Sequence, residues 1–170
     1  MTSYIALLRA VNVGGTGKLP MTELKALCEK CGFIKVKTYI ASGNVVFQSK
    51  LPEAKVKSTL EAALADYAGK PVGAMVRTAA EMAAVLAANP FTDKPANITI
   101  AIFLDAAPPA NFVDAISNQA GEQLRPGVRE IYVYYPEGQG QSKLKIPAAK
   151  NGTARNINTV AKLAEMAASL

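Results

Sequence analysis

Residues 35–49, KVKTYIASGNVVFQS, predict two β-strands joined by a tight turn. Both flanks are rich in β-branched and aromatic residues, and Ser42, Gly43 and Asn44 between them are residue types that favour turns. A helical pattern and an apolar strand pattern occur on each side of this hairpin, so the first half of the chain is predicted to have the order βαββαβ. The predicted bounds outside the hairpin are strands at 4–11 and 71–77 and helices at 21–31 and 52–69.

The second half of the chain repeats this order less clearly. Two βαββα units in succession predict an α+β fold of two ferredoxin-like lobes, residues 1–78 and residues 79–170, the second ending in a C-terminal helix. The predicted elements are a connecting helix at 78–90, a strand at 97–104, a helix near 108–119, two strands within 122–138 that turn at Pro126 and Gly127, a short helix from about Ser142, and a last helix at 157–170.

The composition is that of a folded protein. Half of the 170 residues are hydrophobic and 19% are charged, which favours a packed core over disorder. No apolar run approaches the roughly 18 to 20 residues that span a bilayer. Arg9 interrupts the apolar N-terminal stretch, which argues against a signal peptide. We therefore expect a soluble cytoplasmic protein that does not contact a membrane.

Several kinds of chemistry are excluded by residue types that the chain lacks. It has no histidine, so catalytic triads that use histidine are excluded, and so is the commonest zinc ligand. Its two cysteines, Cys28 and Cys31, fall with Leu24 and Leu27 on one face of a helical pattern, which favours packing over redox chemistry or metal binding. We therefore predict no metal and no cofactor.

Positive charge is concentrated in the first half. Residues 1–78 contain 11 Lys and Arg against 5 Asp and Glu, a net charge of +6, whereas residues 79–170 contain 8 against 8. Clustered positive charge raises the local concentration of anions, so the first lobe is predicted to have an anionic partner. The alternative is a lysine-rich surface that only keeps the protein in solution.

A glycine-rich segment, VNVGGTGKLP at 11–20, follows the first predicted strand. It fails the Walker A pattern at two defining places, because Asn12 stands where glycine is required and Leu19 where serine or threonine would bind magnesium. A nucleotide hydrolase of that class is therefore not expected.

The same segment retains features of a weaker anion site. A glycine-rich turn before a helix can bind an anion through backbone amides, and Arg9 and Lys18 would add positive charge. The alternative is that Gly14 and Gly15, with Gly17, only permit a tight turn between a strand and a helix.

A third polar segment, NGTARNINTV at 151–160, begins the last predicted helix. Thr153 or Asn156 would cap this helix by accepting hydrogen bonds from its free backbone amides. Arg155, at the positive end of the helix dipole, would favour a carboxylate or phosphate. Capping without ligand binding remains the alternative.

Four motifs resemble, in this order, those of the bacterial family catalogued as domain of unknown function 1697: YIALLRAVNVGG, TYIASGNVVF, SKL at 142–144, and TARNINTV. The resemblance runs from Tyr4 to about Glu165. It implies an α+β fold with duplicated ferredoxin-like subdomains and no established biochemical function. Similar proteins usually carry tryptophan where this chain has Ile157, a departure that favours packing there over stacking on a base or sugar. The family's motif residues correspond to Arg9, Asn12, Gly14, Gly15, Ser42, Gly43, Asn44, Ser142, Lys143, Thr153, Arg155 and Asn156.

Together these features favour a binding module for a small phosphorylated or carboxylated ligand, in a cleft between the two lobes. The ligand's charge would be met by arginine and lysine, and its orientation would be set by asparagine and by close approach of glycine backbone. The predicted ligand-binding residues are Arg9, Asn12, Gly14, Gly15, Lys18, Ser42, Asn44, Lys143, Thr153, Arg155 and Asn156.

Three alternatives stay open. Single-stranded RNA or DNA binding fits the basic first half, although only Tyr4 and Phe47 would offer rings on its central strands. The tyrosines at 132, 134 and 135 would supply further rings, or they would belong to a core. An enzyme would have to rely on Ser42, or on Ser142 with Lys143 as a serine–lysine pair. A protein-interaction or purely structural module is the third alternative.

Overall fold

The computed structural model describes residues 1–10 and 18–170. Within them the protein is a mixed α/β protein with two four-stranded antiparallel sheets and four α-helices. The chain divides into two compact units, residues 1–83 with 163–170 and residues 84–162. No helix in the described ranges is long and apolar enough to cross a membrane.

The first unit contains the predicted order βαββαβ. Its sheet has the order β2-β3-β1-β4, so the central strand β1 pairs with β3 on one side and with β4 on the other, both antiparallel. Ile5, for example, lies opposite Val46 on β3 and opposite Arg77 on β4. The elements are β1 (Thr2–Leu8), α1 (Met21–Lys30), β2 (Ile34–Tyr39), β3 (Asn44–Ser49), α2 (Glu53–Ala68) and β4 (Ala74–Thr78).

One hydrophobic core lies between this sheet and helices α1 and α2. Alternate residues of the strands supply its sheet side, and residues at helical spacing supply its helix side, as the period-2 and period-3.6 patterns require. Its main members are Tyr4, Ala6, Leu8, Leu24, Cys28, Val45, Phe47, Val56, Leu60 and Leu64.

Turn and cap residues set the ends of these elements. Pro52 is the N-cap of α2, and Gly69 ends that helix with φ 71°, a left-handed conformation that glycine adopts without strain. Strand β1 ends at Leu8 and not at residue 11 as predicted, because Ala10 has φ 53° and leaves the extended conformation. The predicted hairpin at residues 42–44 is confirmed.

The second unit contains a sheet of the same kind. Its order is β6-β7-β5-β8, so in both sheets the strands of the unit, numbered in chain order, are arranged second, third, first and fourth. A core that includes Ile100, Ile102, Ile131 and Val133 lies on one face. The strands are β5 (Thr99–Phe103), β6 (Gln123–Pro126), β7 (Glu130–Tyr134) and β8 (Thr153–Asn156). The remaining helices, α3 (Ala79–Ala87) and α4 (Ile157–Ala168), each have residues in both units.

The helix predicted near 108–119 is wrong. That segment forms only a 3₁₀ turn, Phe112–Ala115, and the chain then becomes extended. The backbone of Ser117 pairs with that of Lys145 in both directions, at 3.1 and 2.9 Å, and Asn118 has φ 59°. These bonds use the backbone groups that a longer helix would need.

The second half departs from prediction at two further places. A short helix from Ser142 is also wrong, because Ser142 is extended between two 3₁₀ turns, Gln139–Gln141 and Pro147–Ala149. Residues 153–156, predicted to lead into the last helix, form strand β8, whereas helix α4 begins at Ile157 as predicted. The sequence reasoning therefore missed the fourth strand of the second sheet.

Candidate functional site

The predicted site residues lie in both units, and three of them lie outside the residues that the structure describes. Arg9, Lys18, Ser42 and Asn44 belong to the first unit. The second unit holds four more: Lys143, Thr153, Arg155 and Asn156. Asn12, Gly14 and Gly15 lie outside the described residues. That all of them share one cleft between the lobes stays a prediction.

A cavity of about 260 Å³ lies in the first unit, beside the two ends of the glycine-rich segment. Ala10 precedes that segment, and Lys18 and Leu19 follow it and lead into α1. The opposite wall comes from the C-terminal turn of α2 and from the residues that connect it to β4. The lining residues are Ala10, Lys18, Leu19, Leu64, Tyr67, Ala68, Lys70 and Val72.

The lining of this cavity combines two lysines with apolar side chains. Lys18 and Lys70 are exposed and carry the lining's only charges among the described residues. Leu19, Leu64 and Val72 provide aliphatic surface, and Tyr67 is 44% exposed although it ends the apolar stripe of α2. The sequence reasoning predicted Lys18 but missed Lys70 and Tyr67.

Arg9 lies beside the start of β4. Its amide donates a hydrogen bond of 2.9 Å to the carbonyl of Gly73. A methyl group at Gly73 would be in ordinary van der Waals contact with the Arg9 side chain, 3.7 Å from its Cβ, and 3.9 Å from Glu61 Oε2. Glu61 is nearby, accepting from the Ala74 amide at 2.9 Å and from Lys57 Nζ at 2.9 Å. Arg9 is thus placed next to an acidic group, a setting that favours anion binding less than that of Lys18.

The predicted pair at the β2–β3 turn is connected by hydrogen bonds. Asn44 is fully buried, and its Nδ2 donates to the Tyr39 carbonyl and to the Ser42 hydroxyl, each at 2.9 Å. Gly43 in this turn has φ 89°. These contacts give Asn44 a structural task in closing the hairpin, because its donors satisfy backbone and side-chain acceptors of the turn.

We expect Asn44→Ala to destabilise the first unit by about 1–3 kcal/mol, since it leaves a turn carbonyl and a hydroxyl without this donor. Urea unfolding followed by circular dichroism measures the change. Ser42→Ala keeps the bond from Asn44 to the Tyr39 carbonyl and should cost less. Equal stability of Asn44→Ala and the unmodified protein would contradict this role.

Residues 153–156, the TARN segment, form strand β8, and the last of them also caps helix α4. Asn156 caps α4, because its Oδ1 accepts from the Thr159 amide at 3.0 Å. Arg155 is 7% exposed and donates to the Thr153 hydroxyl at 2.7 Å and to the Ala154 carbonyl at 2.9 Å. Burial lowers the pKa of Arg155 to about 10, so the side chain stays protonated at neutral pH. The capping prediction is confirmed for Asn156.

Arg155 has a counterpart that the sequence reasoning missed. Arg77 on β4 lies opposite Ile5 of the central strand, as Arg155 on β8 lies opposite Ala101. Arg77 is 1% exposed and also donates to the carbonyl of the preceding residue, Val76, at 3.0 Å. A buried arginine at the same place in both sheets indicates a role in the fold for this position.

Ser142, which the sequence suggested as the partner of Lys143 in a serine–lysine pair, is hydrogen-bonded to Glu122. The Ser142 hydroxyl donates to Glu122 Oε2 at 2.7 Å, and its oxygen accepts from the Leu144 amide at 3.1 Å. Lys143 is exposed. The sequence reasoning missed Glu122, an isolated acidic residue in a loop that no motif marks.

The remaining candidate groups are buried. Cys28 is fully buried and Cys31 partly so, and both are free thiols. Burial raises the pKa of Cys28 to about 12, so it is neither a nucleophile nor a ready metal ligand. Among residues 1–10 and 18–170 no cluster of three or more His, Cys, Asp or Glu could hold a metal ion.

Four of the five rings considered for nucleic-acid stacking lie in the interior, and the fifth, Tyr134, is half-buried with its ring centre 6.3 Å from that of Phe91. Phe47 is fully buried and stacks on Phe33 with ring centres 4.3 Å apart. Tyr4 is 3% exposed and donates its hydroxyl to the Leu51 carbonyl at 2.7 Å. Tyr132 and Tyr135 are buried as well. These rings contribute to packing and do not form an exposed platform.

The fold and the cavity thus define a two-unit α/β protein with a lysine-lined pocket in its first unit. The chain belongs to the family described as protein of unknown function (DUF1697), whose model matches residues 1–132, so the family predicted from the motifs is confirmed on a match that contains the first two of the four. A conserved bacterial protein from Streptococcus pneumoniae has a similar solved structure, with a TM-score of 0.75, 24% identity and 98% of each chain covered. That likeness shows the fold alone. No curated protein matches the chain.

Proposed function

We propose that the protein binds a small phosphorylated or carboxylated molecule in the cavity between Lys18 and Lys70. The observation that carries this proposal is a concave pocket of about 260 Å³ lined by two lysines and a tyrosine among apolar residues. Such pockets, mostly apolar with a few convergent polar groups, are the usual form of small-molecule sites.

The position of the cavity supports an anion over a neutral ligand. The glycine-rich segment joins Ala10 to Lys18, both of which line the cavity, and Leu19 and Pro20 connect it to α1. Pro20, the N-cap of α1, offers no side-chain cap to the first amides of that helix. Gly14 and Gly15 would add backbone amides to the same ligand, and Asn12 a side-chain amide.

The apolar wall supports a ligand that is more than a bare anion. Leu19, Leu64 and Val72 would bury the aliphatic or aromatic part of a molecule whose charged group lies near the lysines. The carbonyl end of α2 carries partial negative charge, which the two ammonium groups must outweigh. Both lysines are therefore expected to matter.

Titration calorimetry at low ionic strength tests this proposal, with phenyl phosphate, benzoate, inorganic phosphate and the uncharged benzyl alcohol as probes. We expect phenyl phosphate to bind more tightly than inorganic phosphate, and benzyl alcohol not to bind measurably. Lys18→Gln and Lys70→Gln should each weaken phenyl phosphate binding roughly fivefold, the equivalent of about 1 kcal/mol for an exposed charge pair.

Lys50→Gln is the matched control, because Lys50 is an exposed lysine of the same unit that does not line the cavity. An equal loss for all three variants would show a diffuse charge effect and contradict the site. A short single-stranded RNA that binds with a steep salt dependence, while phenyl phosphate does not bind, would favour the nucleic-acid alternative.

We also propose that each sheet with its helices forms a ferredoxin-like lobe. The order βαββαβ of the first unit supports this, as does the arrangement of both sheets as second, third, first and fourth strand with antiparallel pairing throughout. In the second unit a 3₁₀ turn, Phe112–Ala115, stands where the first helix of such a lobe would lie.

A further inference from the structure

A second pocket, in the second unit, has the opposite charge character. It has a volume of about 340 Å³ and lies between two loop segments, 118–122 and 136–143. Glu122, Glu137 and the side-chain amides of Asn118, Gln119 and Gln141 line it, together with Lys143. It is thus a mostly apolar pocket with several charged and amide side chains, of a size that holds a small organic molecule.

Glu122 is the central group of this pocket. The residue is 6% exposed, and its carboxylate accepts from the Ala120 amide and from the Ser142 hydroxyl. Those two hydrogen bonds lower the pKa of Glu122 more than burial raises it, so the carboxylate is ionised at neutral pH. Both donors are electrically neutral.

The charge of Glu122 is therefore stabilised by dipoles but not by a cation. Within the described part of the chain, no lysine or arginine forms an ion pair with it. Covered carboxylates are normally paired with a positive group, because transfer of a charge out of water is costly. An ionised carboxylate on a pocket wall, without such a partner, marks a place for a cation from outside the chain.

We propose that this pocket binds a small organic amine, whose ammonium group pairs with the Glu122 carboxylate. The ammonium has three donors, and besides Glu122 the pocket offers the exposed Glu137 and three side-chain amide oxygens as acceptors. An organic cation fits better than a metal ion, because the pocket is larger than an ion needs and the described residues contain no metal-binding cluster of three or more acidic or soft ligands.

Lys143 provides a second test of the proposal, with an effect opposite to that of Glu122. It lines the same pocket, is exposed, and carries the charge that an incoming ammonium would meet. Because like charges repel, Lys143→Gln is expected to strengthen amine binding, whereas Glu122→Gln is expected to abolish it. Glutamine at 122 keeps an oxygen that accepts from Ala120 and an amide that can donate to the Ser142 oxygen, so the loops should keep their positions.

Titration of the ¹⁵N-labelled protein with propylamine, followed by NMR, tests the proposal, with 1-propanol as the uncharged probe. We expect saturable shift changes confined to the amides of 118–122 and 137–143, absent with 1-propanol and absent in Glu122→Gln. Asp114→Asn, an exposed acidic residue of the same unit outside the pocket, is the matched control and should bind like the unmodified protein.

The spectrum of Glu122→Gln without ligand shows directly whether the variant is folded. Three results would overturn the proposal: equal shifts with propylamine and 1-propanol, shifts that map elsewhere, or binding retained in a folded Glu122→Gln. Weaker binding in Lys143→Gln than in the unmodified protein would also contradict it, since Lys143 would then be assisting a ligand of different charge.

Discussion

Gly152→Ala is expected to destabilise the protein by about 3 kcal/mol, near the upper end of what overpacking usually costs. A Cβ at this position would lie 2.7 Å from the carbonyl oxygen of Phe103, 2.9 Å from Leu104 Cδ2 and 3.0 Å from Ile102 Cγ2. The closest of these atoms belongs to the backbone of the central strand β5, so no side-chain rotation relieves the clash. Urea unfolding followed by far-UV circular dichroism measures the loss.

Gly140→Ala provides the matched control. Nothing lies within 4 Å of a Cβ at Gly140, so this substitution should change the free energy of unfolding by no more than about 0.5 kcal/mol. If both variants unfold at the same urea concentration, the close approach of residue 152 to strand β5 is not present in solution. The lack of room for a Cβ explains why residue 152, directly before the TARN segment, is glycine.

Phe47→Ala should destabilise the first unit by about 3–5 kcal/mol, because it empties a fully buried position in the core and removes a stacked partner of Phe33. The ring also lies 6.0 Å from that of Tyr4, which is itself buried. Urea unfolding checks the value. Phe47→Ala can cause so large a loss of stability only if the Phe47 ring is buried.

Phe47→Leu separates packing from ring chemistry. Leucine keeps most of the apolar volume, so this variant should recover a large part of the stability lost in Phe47→Ala. A ring that served as an exposed stacking platform would behave differently: Phe47→Ala would be nearly as stable as the unmodified protein, and RNA binding alone would suffer. That outcome would contradict the interior position of Phe47 and revive the nucleic-acid alternative.

The first unit could be predicted from its sequence because local signals coincide with its elements. The Ser42–Asn44 turn separates two β-rich runs, Pro52 precedes α2, and Gly69 ends that helix in a left-handed conformation. Each signal acts within a few residues of the structure it determines. The errors are confined to strand bounds: β1 ends early, where Ala10 has a positive φ, and β4 begins at Ala74 and not at residue 71.

The second unit was predicted less well because hydrogen bonds between residues distant in sequence determine part of its secondary structure. The apolar spacing of Phe112, Val113 and Ile116 predicts a helix, yet Ser117 pairs with Lys145, which is distant in sequence. Strand β8 was missed for another reason. Its buried residues, Thr153 and Arg155, are polar, so the period-2 pattern of a half-buried strand contains no hydrophobic residue to reveal it.

The candidate site could be predicted only in part for similar physical reasons. Lys18 was found because it ends a glycine-rich motif, whereas Lys70 and Tyr67 approach it only through the packing of α2. Tyr67 continues the apolar stripe of Val56, Leu60 and Leu64, and the sequence pattern does not show that it is exposed where those residues are buried. Glu122 belongs to no pattern, and its neighbour Ser142 is twenty residues away.

The central claim is that an anionic ligand occupies the cavity between Lys18 and Lys70, and lysine-protection mapping tests it most directly. The protein would be acetylated at low reagent concentration with and without saturating phenyl phosphate, and the modified fraction of each lysine measured by mass spectrometry. We expect phenyl phosphate to protect Lys18 and Lys70 several-fold and to leave Lys50 unchanged. Acetylation of Lys18 and Lys70 to the same extent with and without the probe, or protection of all exposed lysines alike, would contradict the claim.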